Sequence, residues 1–379
     1  MASILGGRSP RAFLRDHWQK RPLLVRGALP GFAGLLDRDA LLQLATRPDA
    51  VSRLIVDRGA RAGRRRWERH DGPFGGLDAA MLSGRAWTLL VHGVESLVPG
   101  GWELLRAFAF LPAARIDDLM VSYAAPGGSV GPHVDDYDVF LLQGPGRRRW
   151  QVSAQRDRSL EPGAAIDVLR RFRPEEEWVL EPGDMLYLPP GVAHHGVAVD
   201  PCFTYSVGFL APSHAELAEA FLTYLAGTLG QELAPTARYA DPDLAPARDR
   251  IAVGDAMVAQ VAAALDGIRW DRARVAQFLG CFLTRPRAHA RFLPPRRPPS
   301  RAAFARRLRG RGALRLALPT RGLTRRGVVY LNGAAHRVDA ATARLLRQLF
   351  DERTLRLPVA APPAAAALLH AWCCAGYLG

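Results

Sequence analysis

Between Leu119 and Leu210, short runs rich in Val, Leu, Tyr and Phe recur between turns of Gly, Pro and Asp. Leu119–Tyr123, Val139–Leu142, Trp150–Val152, Trp178–Leu180, Met185–Leu188 and Thr204–Val207 each have the length and composition of a strand. Most of the intervals between them carry no helical period. Many short strands at such close spacing argue for an antiparallel barrel or jelly roll.

The flanks read differently. Ser9-Pro10 is a cap and first turn, and Phe13, Leu14 and Trp18 follow at helical spacing. Leu23–Val25 reads as an edge strand, Leu35–Leu44 as helix and Asp49–Val56 as strand. From Ser213 to Leu283 the period becomes helical, with Leu217, Ala220, Phe221, Tyr224 and Leu225 on one face and a second run over Ala256–Leu265. These helices are too few for a large core of their own and are expected to pack on the barrel or on a second subunit. Thr284–Arg301 is dense in Pro and Arg and reads as a linker. Leu314–Leu318, Gly327–Leu331 and the helical Ala340–Phe350 then outline a small α/β module, with Asn332-Gly333 as a hairpin turn.

Charge is the bulk property most easily misread. The 379 residues carry a net charge of +15, which invites a nucleic-acid partner. Yet Lys20 is the only lysine, the pattern of a GC-rich genome's codon bias. The excess falls in short runs at Arg61–Arg66, Arg147–Arg149 and Arg296–Arg311 rather than on one helix face. Direct nucleic-acid binding is therefore not the expected role. Cys202, Cys281, Cys373 and Cys374 lack the spacing of a zinc site or disulfide framework and read as reduced thiols. Neither a signal peptide nor a membrane-spanning stretch is evident, so a cytoplasmic protein is expected.

The chemistry concentrates in Gly131-Pro132-His133-Val134-Asp135. In a strand, residues two apart share a face, so His133 and Asp135 can both project into the barrel. A third ligand is supplied by Pro189-Pro190-Gly191-Val192-Ala193-His194-His195, which follows a turn and a strand. Two histidines and one carboxylate with open positions suit iron(II) that must also bind a co-substrate and oxygen. His194 is preferred over His195, although alternation alone leaves that choice open. Alternation also puts Arg148 and Trp150 on one face of the next strand, so Arg148 is the inward cation for a dicarboxylate. Ser122 and Thr204 are candidate hydroxyl contacts for the same co-substrate.

At these residues the chain resembles the JmjC-type ribosomal oxygenases of the cupin superfamily, among them the bacterial arginine 3-hydroxylases of a large-subunit ribosomal protein. The likeness runs through His17–Leu24, Ile116–Met120, Pro126–Gly128, Gly131–Trp150, Gly183-Asp184, Pro189–Gly191 and Tyr205–Phe209. The resemblance implies a mainly β catalytic domain (a double-stranded β-helix) over residues 1–211, an α-helical dimerisation region over 212–290 and a small winged-helix-like domain over 291–379. It implies Fe(II), 2-oxoglutarate and O2 as reactants, with His133, Asp135 and His194 on the metal and Arg148 on the distal carboxylate. It also implies a ribosomal protein substrate and a homodimer. If the target is an arginine, Asp118, Asp136 and Asp138 are candidates to hold its guanidinium. Three rivals stay open: a 2-oxoglutarate oxygenase with another target, such as a histidine, a methylated lysine or a small molecule; a metal-binding cupin module without turnover; and a nucleic-acid-binding protein whose winged-helix-like end grips a backbone.

Overall fold

A computed structural model describes residues 4–379 apart from 62–63, 77–81, 83–85, 233–237, 243 and 247–248, and apart from the side chains at 60–65 and 229–232. The basic run Arg61–Arg66 thus lies mostly outside the described side chains.

Two antiparallel sheets form the first part of the chain. The larger has eight strands in the order β1-β10-β7-β12-β5-β4-β2-β3, and the smaller has four in the order β6-β11-β8-β9. Their ranges are β1 Leu23–Val25, β2 Val51–Arg61, β3 Arg64–Asp71, β4 Ala86–His92, β5 Ile116–Ala124, β6 His133–Val134 and β7 Val139–Gln143. They continue with β8 Arg148–Ser153, β9 Glu176–Leu180, β10 Met185–Leu188, β11 Ala193–Ala198 and β12 Cys202–Phe209. The expected jelly roll is present, and β1 is the expected edge strand. Strands β3 and β4, which widen the large sheet, had no reading from sequence.

The two faces of β7 show how the fold divides its apolar residues. Val139 and Leu141 face the second sheet, while Phe140 and Leu142 enter the main core on the other side. A strand buried on both faces reads as an unbroken apolar run, as Val139–Leu142 does. That main core joins the large sheet to α1 (Pro10–Asp16), α2 (Arg38–Ala45) and α3 (Gly101–Arg106). Ser9 caps α1 by accepting from Ala12 N. The following His17-Trp18-Gln19 locks the N-terminus to the sheet: Trp18 stacks on Tyr187, and Gln19 Nε2 donates to Asp138 at 2.9 Å.

Helices α4 (His214–Glu232), α5 (Asp255–Asp266) and α6 (Arg272–Thr284) come next. No residue of α5 is buried, and its Met257, Val258, Val261 and Leu265 form an exposed apolar stripe. Gly280 of α6 packs against the ring of Tyr330, where a Cβ would lie 2.3 Å away.

The rest of the chain builds a second core from Phe304, Leu314, Val329, Leu346, Leu369 and Trp372. Its elements are α7 (Arg301–Arg309), β13 (Gly312–Arg315), the hairpins β14-β15-β16 (Gly322–Arg325, Val328–Leu331, Ala334–Arg337), α8 (Ala340–Glu352), β17 (Thr354–Leu357) and α9 (Pro363–Cys374). Asn332 and Gly333 form the expected turn, both with positive φ. Cys373 is apolar filler in this core, and all four cysteines are free thiols. Among the described residues no helix is long and apolar enough to cross a membrane.

Candidate metal centre

A cavity of about 400 Å³ opens between the two sheets, and His133, Asp135, His194 and Arg148 all line it. Register distinguishes the two adjacent histidines, which alternation did not. In the β6–β11 pair, His194 lies directly opposite His133, and their ring centroids are 4.2 Å apart. His195 points the other way, with its ring edge against Phe172.

The two facing rings are aimed by their own backbones. His133 Nδ1 lies 3.0 Å from Gly131 O, and His194 Nδ1 lies 3.0 Å from Val192 O. A carbonyl only accepts, so each Nδ1 carries the proton and each Nε2 keeps its lone pair. Those Nε2 atoms sit 3.8 and 3.6 Å from the two oxygens of Asp135. One ligand atom from each residue falls within 4.8 Å of the others. Burial, with His133 alongside, pulls the His194 pKa down to about 4, which keeps the ring neutral at physiological pH as a ligand must be. Gly131 permits the approach turn: its φ is +76°, and a Cβ there would strike Val168.

Arg148 stands deeper, on β8, and is 3% exposed. Nη1 donates to Thr204 Oγ1 at 3.2 Å and Nη2 to Gly196 O at 3.3 Å. No described carboxylate pairs with it. Burial lowers its pKa, but a guanidinium stays charged in a protein. Gly196 makes room, since a Cβ there would lie 2.8 Å from Arg148 Nε and 2.7 Å from the Trp150 ring. Arg148 Nε, Trp150 Nε1 and Thr88 Oγ1 are buried polar atoms without a hydrogen-bond partner, and all three residues line this cavity. An unpaired buried charge costs several kcal/mol, so such a group points to an anionic ligand. The donor set fits a facial metal site, and the orphaned polar atoms fit a carboxylate beside it. Ser122 also lines the cavity.

A second end of the cavity wall is acidic. Asp118 lines the cavity and is 7% exposed; its Oδ2 accepts from Gly93 N at 3.1 Å and lies 3.3 Å from His92 Nδ1. Burial alone would raise the Asp118 pKa, but His92 and Arg287 bring it below the usual carboxylate range. The other two acids proposed from sequence do not belong here. Asp138 is fully buried outside the cavity, accepting from Tyr187 Oη at 2.6 Å and from Gln19. Asp136 projects into solvent, its side chain 93% exposed.

Residues 103–217 match the JmjC domain family and residues 267–379 match the ROXA-like winged helix. The structure superposes on that of YcfD, a ribosomal oxygenase from Escherichia coli, with a TM-score of 0.78 and 32% identity over 98% of both chains. The chain belongs to the JmjC-type ribosomal oxygenases. The form of YcfD in complex with cobalt and 2-oxoglutarate gives the same TM-score, identity and coverage. The ribosomal protein uL16 3-hydroxylase of Escherichia coli is 40% identical over 238 residues. That alignment covers 62% of this ribosomal-oxygenase-family chain and 60% of the relative.

Sequence reasoning missed Thr88, Glu95 and Arg287. Thr88 sits on a strand that was not read, and the other two are joined only by the tertiary fold. The stretch read as a linker, Thr284–Arg301, contributes Arg287 directly to the cavity wall.

Proposed function

We propose that the chain is an iron(II)- and 2-oxoglutarate-dependent protein hydroxylase acting on an arginine of a large-subunit ribosomal protein. The observation that carries this reading is the pairing, in one cavity, of a His-Asp-His triad with a buried cation that has no counter-ion among the described residues. His133, Asp135 and His194 would hold the metal. Arg148, with Thr204 and Ser122 nearby, would take the distal carboxylate of 2-oxoglutarate. When bound, iron(II) supplies the redox chemistry by which oxygen and 2-oxoglutarate yield a hydroxylated carbon, succinate and carbon dioxide.

The chain's residues bind and orient. Nδ1–H anchoring keeps both rings aimed without rearrangement on metal binding. The apolar walls Leu141, Trp150 and Ile166 limit water around the metal end. Asp118, on the same wall, is the acid placed to receive a cationic side chain. The likeness to a uL16 3-hydroxylase and the acidic corner together favour an arginine over a neutral target.

The proposed architecture is a catalytic part over residues 1–211, helices over 212–290 and a winged-helix-like part over 291–379. Two separate apolar cores support the outer two. A homodimer in the cytoplasm is proposed, joined through the helical part, because the apolar stripe of α5 is left uncovered by the described residues. Val258→Glu with Val261→Glu should convert the dimer to a monomer in sedimentation velocity.

Succinate release tests the central reading. The iron-loaded chain mixed with uL16, 2-oxoglutarate and air should release succinate in proportion to uL16, and the His133→Ala variant should release none. Iron-loaded chain that consumes no 2-oxoglutarate under these conditions would leave a binding module as the better reading.

A further inference from the structure

Asp118 is the acid placed to meet substrate, and its two oxygens are not equivalent. Among the described residues its polar contacts all fall on Oδ2: Gly93 N at 3.1 Å, His92 Nδ1 at 3.3 Å and Arg287 Nη2 at 4.0 Å. Oδ1 instead faces Gly208, another residue of the cavity wall, where a Cβ would lie 3.4 Å from it.

Arg287 comes from outside the jelly roll, just past α6. Its Nη2 donates to Asp117 O at 2.8 Å and lies 3.3 Å from Asp117 Oδ1, while Nε stands 3.8 Å from Glu95 Oε1. Three carboxylates therefore converge on one guanidinium. Glu95 is 1% exposed and accepts from Leu119 N at 3.0 Å, which ties the cluster to the strand that carries Asp118. Arg287 also separates the metal cavity from a second one of about 270 Å³, so it is a wall of the site and not only a surface tether.

We infer that Arg287 is a positioning residue for substrate: with His92 it fixes Oδ2 of Asp118, so that Oδ1 is presented to the cationic side chain entering the cavity. The inference rests on the arginine reading above. A carboxylate whose one oxygen is held needs no reorganisation to receive a guanidinium, and a pre-set acceptor favours binding more than turnover. Arg321 provides the contrast. It reaches the same strand and lies in the field of the same three carboxylates, but among the described residues its Nη2 hydrogen-bonds only the backbone oxygens of Ile116 and Asp117, at 2.7 and 3.0 Å. Arg321 stitches the C-terminal part to the jelly roll, whereas Arg287 orders the acid that meets substrate.

The experiment compares the full native chain with Arg287→Ala, Arg287→Lys, His92→Gln and Arg321→Ala. Steady-state turnover of uL16 is one readout. The other is paramagnetic broadening of arginine amide, against norleucine amide, by the Mn(II)-loaded chain. Arg287→Ala should raise KM for uL16 by roughly tenfold or more, as loss of one partner in a buried charge pair does, with kcat changed by less than about threefold. Selectivity for arginine amide should fall in parallel, and Arg287→Lys should recover part of both. Should Arg287→Ala fail to fold, Arg287→Lys and His92→Gln carry the same test, each with an intermediate rise in KM. Arg321→Ala should lower the melting temperature and leave KM near native. If Arg287 variants select arginine amide as the native chain does, or lose only melting temperature, Arg287 is a structural tether and the inference is overturned. If the native chain neither selects arginine amide nor hydroxylates uL16, the arginine reading itself falls and takes this inference with it.

Discussion

The two ends of the central cavity are built on opposite plans. At the metal end several polar atoms lack partners: the Nε2 lone pairs of His133 and His194 converge, and Arg148 Nε, Trp150 Nε1 and Thr88 Oγ1 have no hydrogen bond. At the acidic end Arg287 Nε also lacks a hydrogen bond, but the carboxylates of Glu95, Asp117 and Asp118 all lie within 4.0 Å of Arg287, and Asp118 and Glu95 also accept from the backbone amides of Gly93 and Leu119. Unpaired buried groups are costly, and a fold tolerates them where a ligand completes them. Groups already held by the protein set the shape into which a ligand fits. The first end therefore reads as a place for small reactants and the second as a preset receptor for a side chain.

Substitutions at the metal end should have the largest effects. His133→Ala should lower iron retention by more than the ~10–100-fold that loss of a supporting partner alone brings, and should abolish succinate release. Metal analysis after gel filtration, alongside the succinate assay, checks it. Arg148→Ala should raise KM for 2-oxoglutarate by at least ~30-fold, the consequence of losing a buried charge partner worth about 2–5 kcal/mol. Titration of 2-oxoglutarate into the Mn(II)-loaded variant would show the same loss as weakened binding. A normal co-substrate affinity would erase the distinction between the two ends.

A pH experiment sharpens the same contrast in the metal-free chain. The His194 pKa is depressed from 6.5 to about 4 by burial and by His133. The unfolded chain therefore takes up a proton at this residue before the folded chain does. Stability from this group is complete above pH 6.5 and is lost as pH falls toward 4. The loss is on the order of 3 kcal/mol for a shift of this size. Urea unfolding of the metal-free native chain and of His194→Gln across this range should show the excess slope in the native chain alone. The smallest effect is expected at Arg321. Arg321→Ala should cost roughly 1–3 kcal/mol of stability through its two lost backbone acceptors, measured by thermal unfolding.

Much of the metal end is legible in the sequence, because local geometry governs it. A period of two puts His133 near Asp135 and Arg148 beside Trp150 on a common face, and both placements hold in the fold. The choice between His194 and His195 was not local. It depends on the register in which β11 meets β6, and that pairing puts His194 opposite His133. The acidic end was hardly legible at all. Arg287 and Asp117 are 170 positions apart in the chain, and no periodicity links an arginine in a Pro-rich segment to a strand in a barrel. Asp136 and Asp138 were plausible only because sequence neighbours of a metal motif look alike until burial separates them. One is exposed to solvent and the other is held by Tyr187.

The central claim is that one cavity joins oxidation chemistry to an arginine receptor. Intact-mass and fragment-mass analysis of large-subunit ribosomal proteins tests it most directly, after incubation with the iron-loaded chain, 2-oxoglutarate and air. One oxygen atom should be gained on an arginine of a single protein, uL16, and none with His133→Ala. Oxygen added to a histidine or a lysine, or no added oxygen while 2-oxoglutarate is steadily consumed, would contradict the arginine receptor and leave only the metal end standing.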